Sequence, residues 1–360
     1  MESTYNDFSK IQSQTISGTW DMVIKSCDKM IDNIKSKNER LSKLNSNENP
    51  NVIRILDIGS SHGRNSIMPI NLIISNVLKQ FPSQCFEVYH EDLPENNFSL
   101  LFKEISDNEN SYIKLSNQIY FYAIGNSFYN QLVPSNSIDY VFSFSASHWD
   151  IYNDSFHYDK VSIGIIYKER SKEYKKYCID NLYKNFSLRA KELKKGGIFL
   201  VTIINENECT NVENDSLYQL FCLFKTLWRE IANENLISFN EVEKMAIPIN
   251  VYKKDEVYDA IKLVETDHQL KLVTIEQNVQ KFSDSHSLFL SDQEKSEILF
   301  STMNAACESS LKNFIKGDQN TKDSLYKLFI SKFLNHIKVS PLINIDYLFS
   351  YYSIIFEKIC

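Results

Sequence analysis

Glycine is scarce in this chain, with eight among 360 residues, at positions 18, 59, 63, 125, 164, 196, 197 and 317. Each candidate tight turn can therefore be weighed singly, and five of these glycines punctuate apparent strands. An excess of basic charge is absent: 39 Lys and Arg stand against 46 Asp and Glu, a net charge of −7, which argues against a nucleic-acid sleeve. No apolar run reaches the roughly 18 residues that a membrane helix needs. The longest, IFLVTII at 198 to 204, reads as a strand, so no membrane span is expected. The first twenty residues lack the basic start and apolar core of a signal peptide, and the expected compartment is the cytoplasm. The seven cysteines form no C-x-x-C pair and the seven histidines no H-x-x-x-H or H-E-x-x-H spacing. Reduced thiols and no metal site are expected. G-x-G-x-x-G is missing too, which disfavours a NAD-dependent dehydrogenase.

What the chain does contain is the balance of a globular protein, 43% hydrophobic and 24% charged, with enough apolar mass for a sizeable core. VIRILDIG at 52 to 59 reads as a buried strand, followed by the loop SSHGRN and the helix-compatible SIMPINLIISNVLKQF. CFEVYHEDL (85 to 93), QIYFYAIG (118 to 125), SIDYVFSFS (137 to 145) and GIFLVTII (197 to 204) supply further strands, with segments long enough for helices between several of them. This alternation predicts a doubly wound α/β fold with a mostly parallel sheet. After residue 205 the apolar spacing turns helical, through DSLYQLFCLFKTLWREIANENLI (215 to 237) and DEVYDAIKLVE. LKLVTIEQNV (270 to 279) returns to strand character, and LINIDYLFSYYSIIFEKI supplies either a strand pair or one strand and a helix. The expected division is an α/β core from 1–205, 266–285 and 339–360, with a helical cap from 206–265 and 286–338.

Three places carry candidate chemistry. The loop DIGSSHGRN (57 to 65) closes a strand and opens a helix, and Gly59 and Gly63 would let backbone N–H groups approach a ligand. Alone it is equally a plain glycine turn. Asp92 in HEDLP, at the carboxyl end of the next strand, is placed to accept bonds from ribose hydroxyls, although a lone aspartate there is more often simply solvated. Together the two favour a nucleoside-bearing cofactor. SFSASHW (143 to 149) ends a strand in His148 and Trp149, which suits a substrate pocket, although such a pair alone is more often a core tryptophan beside a satisfied histidine.

In this order, the three segments resemble the SABATH family of S-adenosylmethionine-dependent carboxyl methyltransferases, to which the salicylate and jasmonate methyltransferases belong. STYNDFSKIQSQTIS (3 to 17) resembles the family's S-Y-x-x-N-S-x-x-Q-x-Q motif. NSFYNQLVPSNSIDYVFSFSASHW (126 to 149), FSLRAKELKKGGIFLVTI (186 to 203) and ENLISFNEVEKMAIPINVYKKDEV (234 to 257) extend the match over nearly the whole chain.

The resemblance implies a Rossmann-like class I methyltransferase sheet, S-adenosylmethionine (SAM) as cofactor, a small carboxylic acid as substrate, and a homodimer. It implies that Tyr5, Ser9, Asp57, Asp92, Leu93, Ser127 and Phe128 surround the cofactor and that Gly59 and Gly63 shape its loop. Asp92 would hold the ribose, Leu93 and Phe128 the adenine, and Asp57, Ser9 and Tyr5 the methionine end. Gln12 and Trp149 would hold the substrate carboxylate, with His148 nearby. Two departures bear on the acceptor: Asn250 falls where aromatic-acid members carry a pocket tyrosine, and Phe221 near their pocket tryptophan. The metal-associated D-x-F-N pattern reads Glu243, Lys244, Met245 and Ala246 here, so no magnesium is expected. A carboxylic acid with a pKa of about 4 is already ionised at neutral pH, and the enzyme mainly orients it, consistent with the lack of a Ser-His-Asp or paired-carboxylate signature. The rivals are a nitrogen or hydroxyl methyltransferase on the same scaffold and a non-catalytic small-molecule binder.

Overall fold

The computed structural model describes residues 18–43, 52–144, 146–150, 171–206, 216–245, 247–281, 290–342 and 347–360. Tyr5, Ser9 and Gln12 lie outside the described residues.

Seven strands form one sheet: β1 (Ile53–Ile58), β2 (Phe86–Asp92), β3 (Ile119–Gly125), β4 (Ile138–Ser143), β5 (Leu193–Asn205), β6 (Leu270–Lys281) and β7 (Tyr347–Lys358). Their spatial order is β3-β2-β1-β4-β5-β7-β6. The first five run parallel, and β7 inserts antiparallel between β5 and β6. The carboxyl ends of β1, β2 and β4 therefore share one rim of the sheet, where open α/β folds bind ligands.

Strand alternation divides the core between two faces. Ile53 and Ile55 of β1 pack with Phe86 and Val88 of β2 under α1 (Trp20–Lys43), α2 (Arg64–Gln80) and α3 (Phe98–Asp107). Leu56 and Ile58 face the opposite layer, with Cys178, Leu182 and Phe186 of α4 (Lys172–Glu192). The stripe Met22, Cys27, Met30 and Ile31 recurs at helical spacing and docks α1 against α2 and β5.

The cap has its own core, built by α5 (Ser216–Asn233), α6 (Phe239–Lys244), α8 (Asp292–Lys312) and α9 (Gln319–Val339). Trp228 stacks on Phe329 with ring centroids 4.8 Å apart, and Phe300 on Phe333 at 3.9 Å. One boundary of the expected division moves. Helix α7 (Lys254–His268), assigned above to the cap, buries Val257, Ala260, Ile261 and Val264 beside α4 on the sheet. An amphipathic stripe specifies that a helix packs, and leaves open which surface receives it. Among the described residues the carboxyl-terminal segment forms one long strand, β7, in place of the expected strand pair or strand and helix.

Candidate active site

The β1–α2 loop is held by backbone contacts to the end of β2. Gly59 and Ser60 N–H both donate to the Glu91 carbonyl at 2.9 Å, and Ser61 N–H donates to Asp92 Oδ2 at 2.6 Å. Gly59 adopts φ 75° and Gly63 φ 85°, the left-handed conformation that glycine takes without strain. A Cβ on Gly59 would collide with the Cβ of Ala146 in the β4 rim, so the absent side chain is what lets the two loops meet.

Asp92 receives a second backbone bond, from Leu93 N–H to Oδ1 at 2.8 Å. Each carboxylate oxygen is thereby fixed by one donor and retains capacity for another, the arrangement a ribose diol requires. Burial raises the Asp92 pKa, opposed by those two N–H groups. Leu93 is 51% exposed beside it, an apolar surface suited to an adenine face. Ser60 Oγ and Glu91 Oε1 are buried with no hydrogen-bond partner among the described residues. This donor and acceptor set fits a nucleoside-bearing cofactor.

Burial tunes the acids at the end of β2. Desolvation, reinforced by the adjacent Asp92 charge, pushes the Glu91 carboxyl up to about 8 from an ordinary value of 4.5. Because the folded value is the higher one, the native state holds an extra proton between those limits. The contribution of Glu91 to stability is full below pH 4.5 and declines as pH rises towards 8. Glu91→Gln, which keeps an acceptor for Gly59 N–H, is expected to remove that decline. Thermal melts should coincide with wild type near pH 5 and show the variant about a few degrees more stable near pH 8.5. Parallel melting curves at both pH values would contradict it.

Asp57 lies at the carboxyl end of β1, buried, with Oδ2 2.8 Å from His90 Nδ1. Ser127 and Phe128 follow β3 on a loop anchored from beneath by Arg189, which donates to the Phe128 carbonyl at 3.2 Å and the Asn130 carbonyl at 3.1 Å. Arg189 and Glu192 are both fully buried. Arg189 Nη2 donates to Glu192 Oε1 at 2.9 Å, and the 2.7 Å approach of Nε to Oε2 is Coulombic, outside hydrogen-bond geometry.

The segment beyond β4 is clamped by residues 248–250. Trp149 bridges Ile249, Asn250 N–H donates to the His148 carbonyl at 2.9 Å, and Asp150 N–H to the Pro248 carbonyl at 2.8 Å. Tyr129 Oη–H donates to the Trp149 carbonyl at 3.0 Å. His148 is 5% exposed; burial drives its pKa down to about 3, so the imidazole is neutral at physiological pH, and its Nδ1 has no partner among the described residues.

Asn250 and Phe221, the two departures that bear on the acceptor, are both buried. The Asn250 amide donates to Asp150 Oδ2 at 3.1 Å and accepts from Tyr174 Oη–H at 3.0 Å, while Asn181 donates to Asp150 Oδ1 at 2.8 Å. Asn250 thus braces the His148–Trp149 segment from behind. Phe221 is buried in the cap core, edge-on to Phe224 at 6.0 Å. Glu243 is engaged by Arg229 at 2.7 Å and Lys225 at 3.7 Å. The structure thus brings Gly59, Asp57, Asp92 and Leu93 together on one rim, adds Glu91 and His90, which the sequence reading passed over, and gives a supporting place to Arg189, read there only as a motif letter. The run His90-Glu91-Asp92 at a strand end was the available signal for the first two.

A profile of the family described as SAM dependent carboxyl methyltransferase matches residues 2–351. The salicylate/benzoate carboxyl methyltransferase of Arabidopsis thaliana is 26% identical over 275 residues, covering 71% of this chain and 67% of that protein. Indole-3-acetate O-methyltransferase 1 of the same plant is 25% identical over 228 residues, 57% of this chain and 59% of the relative. The solved structure of loganic acid methyltransferase with SAH superposes with a TM-score of 0.73 at 18% identity, covering 99% of this chain and 96% of that one, a likeness of fold. With nearly its whole length matched, the chain belongs to the SABATH family of SAM-dependent carboxyl methyltransferases.

Proposed function

We propose that this protein forms the methyl ester of a small carboxylic acid, with Gln12 and Trp149 holding the carboxylate and Asp57, Asp92, Leu93, Ser127 and Phe128 holding SAM. The observation that carries this reading is the placement, at the carboxyl ends of β2 and β4 on one sheet rim, of a backbone-fixed Asp92 and a His148–Trp149 segment clamped by residues 248–250. Tyr5 and Ser9 belong to the same proposed cofactor site, and Gly59 and Gly63 to its loop. Bound SAM supplies an electrophilic sulfonium methyl. The chain's own task is orientation. A neutral amide and an indole N–H fix a carboxylate without neutralising it as a nucleophile, and His148, neutral through burial, adds no competing cation. The cap, in this reading, excludes water from the site.

The two proposed carboxylate donors are tested by Gln12→Ala and Trp149→Phe. Each is expected to raise KM for the acid about 10- to 100-fold, the range for a hydrogen bond to a charged group, while the SAM dissociation constant stays within about twofold. Equal losses of both would remove these residues from the acceptor site. His148 favours one second reading, since a neutral imidazole is competent to accept a proton from a hydroxyl or ring nitrogen acceptor. The product separates the two, because a methyl ester is cleaved by mild alkali. The homodimer implied by the resemblance is part of the proposal, as is residence in the cytoplasm. Sedimentation at twice the chain mass would support the dimer, and sedimentation as a single chain would refute it.

A further inference from the structure

We infer that His90 is a positioning residue for the cofactor site, orienting the Asp57 carboxylate through a buried Asp57–His90–Tyr112 chain. The inference rests on the proposed reading that Asp57 faces the methionine end of SAM. Parallel pairing of β1 and β2 sets Asp57 directly opposite His90. Alternation puts both side chains on the face occupied by Ile53, Ile55, Phe86 and Val88. His90 Nδ1 lies 2.8 Å from Asp57 Oδ2, and His90 Nε2 lies 2.7 Å from Tyr112 Oη. Asp57, His90 and Tyr112 are all buried.

The hydrogens of this chain follow from its ends. Burial raises the Tyr112 phenol well above its ordinary value, so Tyr112 keeps its proton at the far end of the chain, bonded to Nε2. At the other end a carboxylate can only accept, so His90 carries a hydrogen on Nδ1 and donates it to Asp57 Oδ2. Oδ1 accepts no hydrogen bond among the described residues. One oxygen is thus held by the His90 donor and the other left for an ammonium group, which fixes the orientation of the carboxylate. Three linked polar groups in an otherwise apolar layer carry a desolvation cost that an apolar trio would avoid. Orientation of Asp57 is the gain that accounts for them.

Calorimetry on the full chain tests this with two probes, SAM and 5′-methylthioadenosine, which lacks the amino-acid end. His90→Leu is expected to weaken SAM binding about 10- to 100-fold and to leave methylthioadenosine within about twofold. His90→Asn, whose amide N–H replaces the Nδ1 donor, should recover most of the SAM affinity. Equal loss of both probes in His90→Leu, or no loss of either, would overturn the inference, as would failure of His90→Asn to recover affinity. If His90→Leu does not fold, Tyr112→Phe decides: selective weakening of SAM supports the chain, and unchanged SAM binding refutes it. Asp57→Ala separates the two levels of the argument. Unchanged SAM binding there would sink the proposed role of Asp57 itself, whereas a loss there with none in the His90 or Tyr112 variants would sink only the role of His90.

Discussion

Replacing Arg189 with alanine is expected to cost about 3–5 kcal/mol of folding stability, the range for stranding one member of a buried ion pair. Arg189 and Glu192 are fully buried, and the substitution leaves the Glu192 carboxylate with the Leu132 N–H, at 2.6 Å, but without its cation. The loss also reaches the proposed site. The Phe128 and Asn130 carbonyls lose the guanidinium donors that anchor the loop after β3. Chemical denaturation should therefore show a large drop in midpoint, and cofactor affinity should fall in whatever protein remains folded. The double variant Arg189→Met, Glu192→Leu should regain much of the stability, because no unpaired charge remains, while the loop anchor stays lost. A single variant as stable as wild type would contradict the ion-pair account.

Gly59→Ala is the second large effect. The residue sits at φ 75°, where a side chain costs about 1–3 kcal/mol, and its new methyl would drive into the Cβ of Ala146, which has no torsion by which to withdraw. The loop must shift, carrying Asp57 and Ser61 with it. A displacement of this kind is expected to lower kcat/KM about 100-fold. Gly63→Ala offers a graded comparison: it meets the Cδ1 tip of Leu101, a flexible side chain that can rotate away. Its loss should be smaller, arising chiefly from φ 85°. Equal kinetics for Gly59→Ala and wild type would show that the close approach of the β1 and β4 loops is dispensable.

The features legible in the sequence were those set by local physics. β1 announced itself by a β-branched apolar run ending in glycine, and Asp92 by its place at the end of the next strand. Motif order then carried the cofactor and the reaction class. What the sequence hid depends on long-range placement. The stripe on α7 resembles those of the cap helices, yet α7 packs with α4 on the sheet. Asn250 read as a pocket residue because of where it falls in a motif, while its bonds to Asp150 and Tyr174, 76 or more positions earlier in the chain, are visible only in the fold. Tyr112 meets His90 only because a short helical turn lands beneath β2. Arg189 and Glu192 were visible as motif letters, and only the fold reveals a buried ion pair that supports the Phe128 loop.

The central claim is carboxyl methylation, and transfer of radiolabelled methyl from SAM to a panel of small carboxylic acids tests it most directly. The account predicts label in a product that mild alkali releases. Label that survives alkali, or no transfer to any acid by a chain that binds SAM, would contradict it.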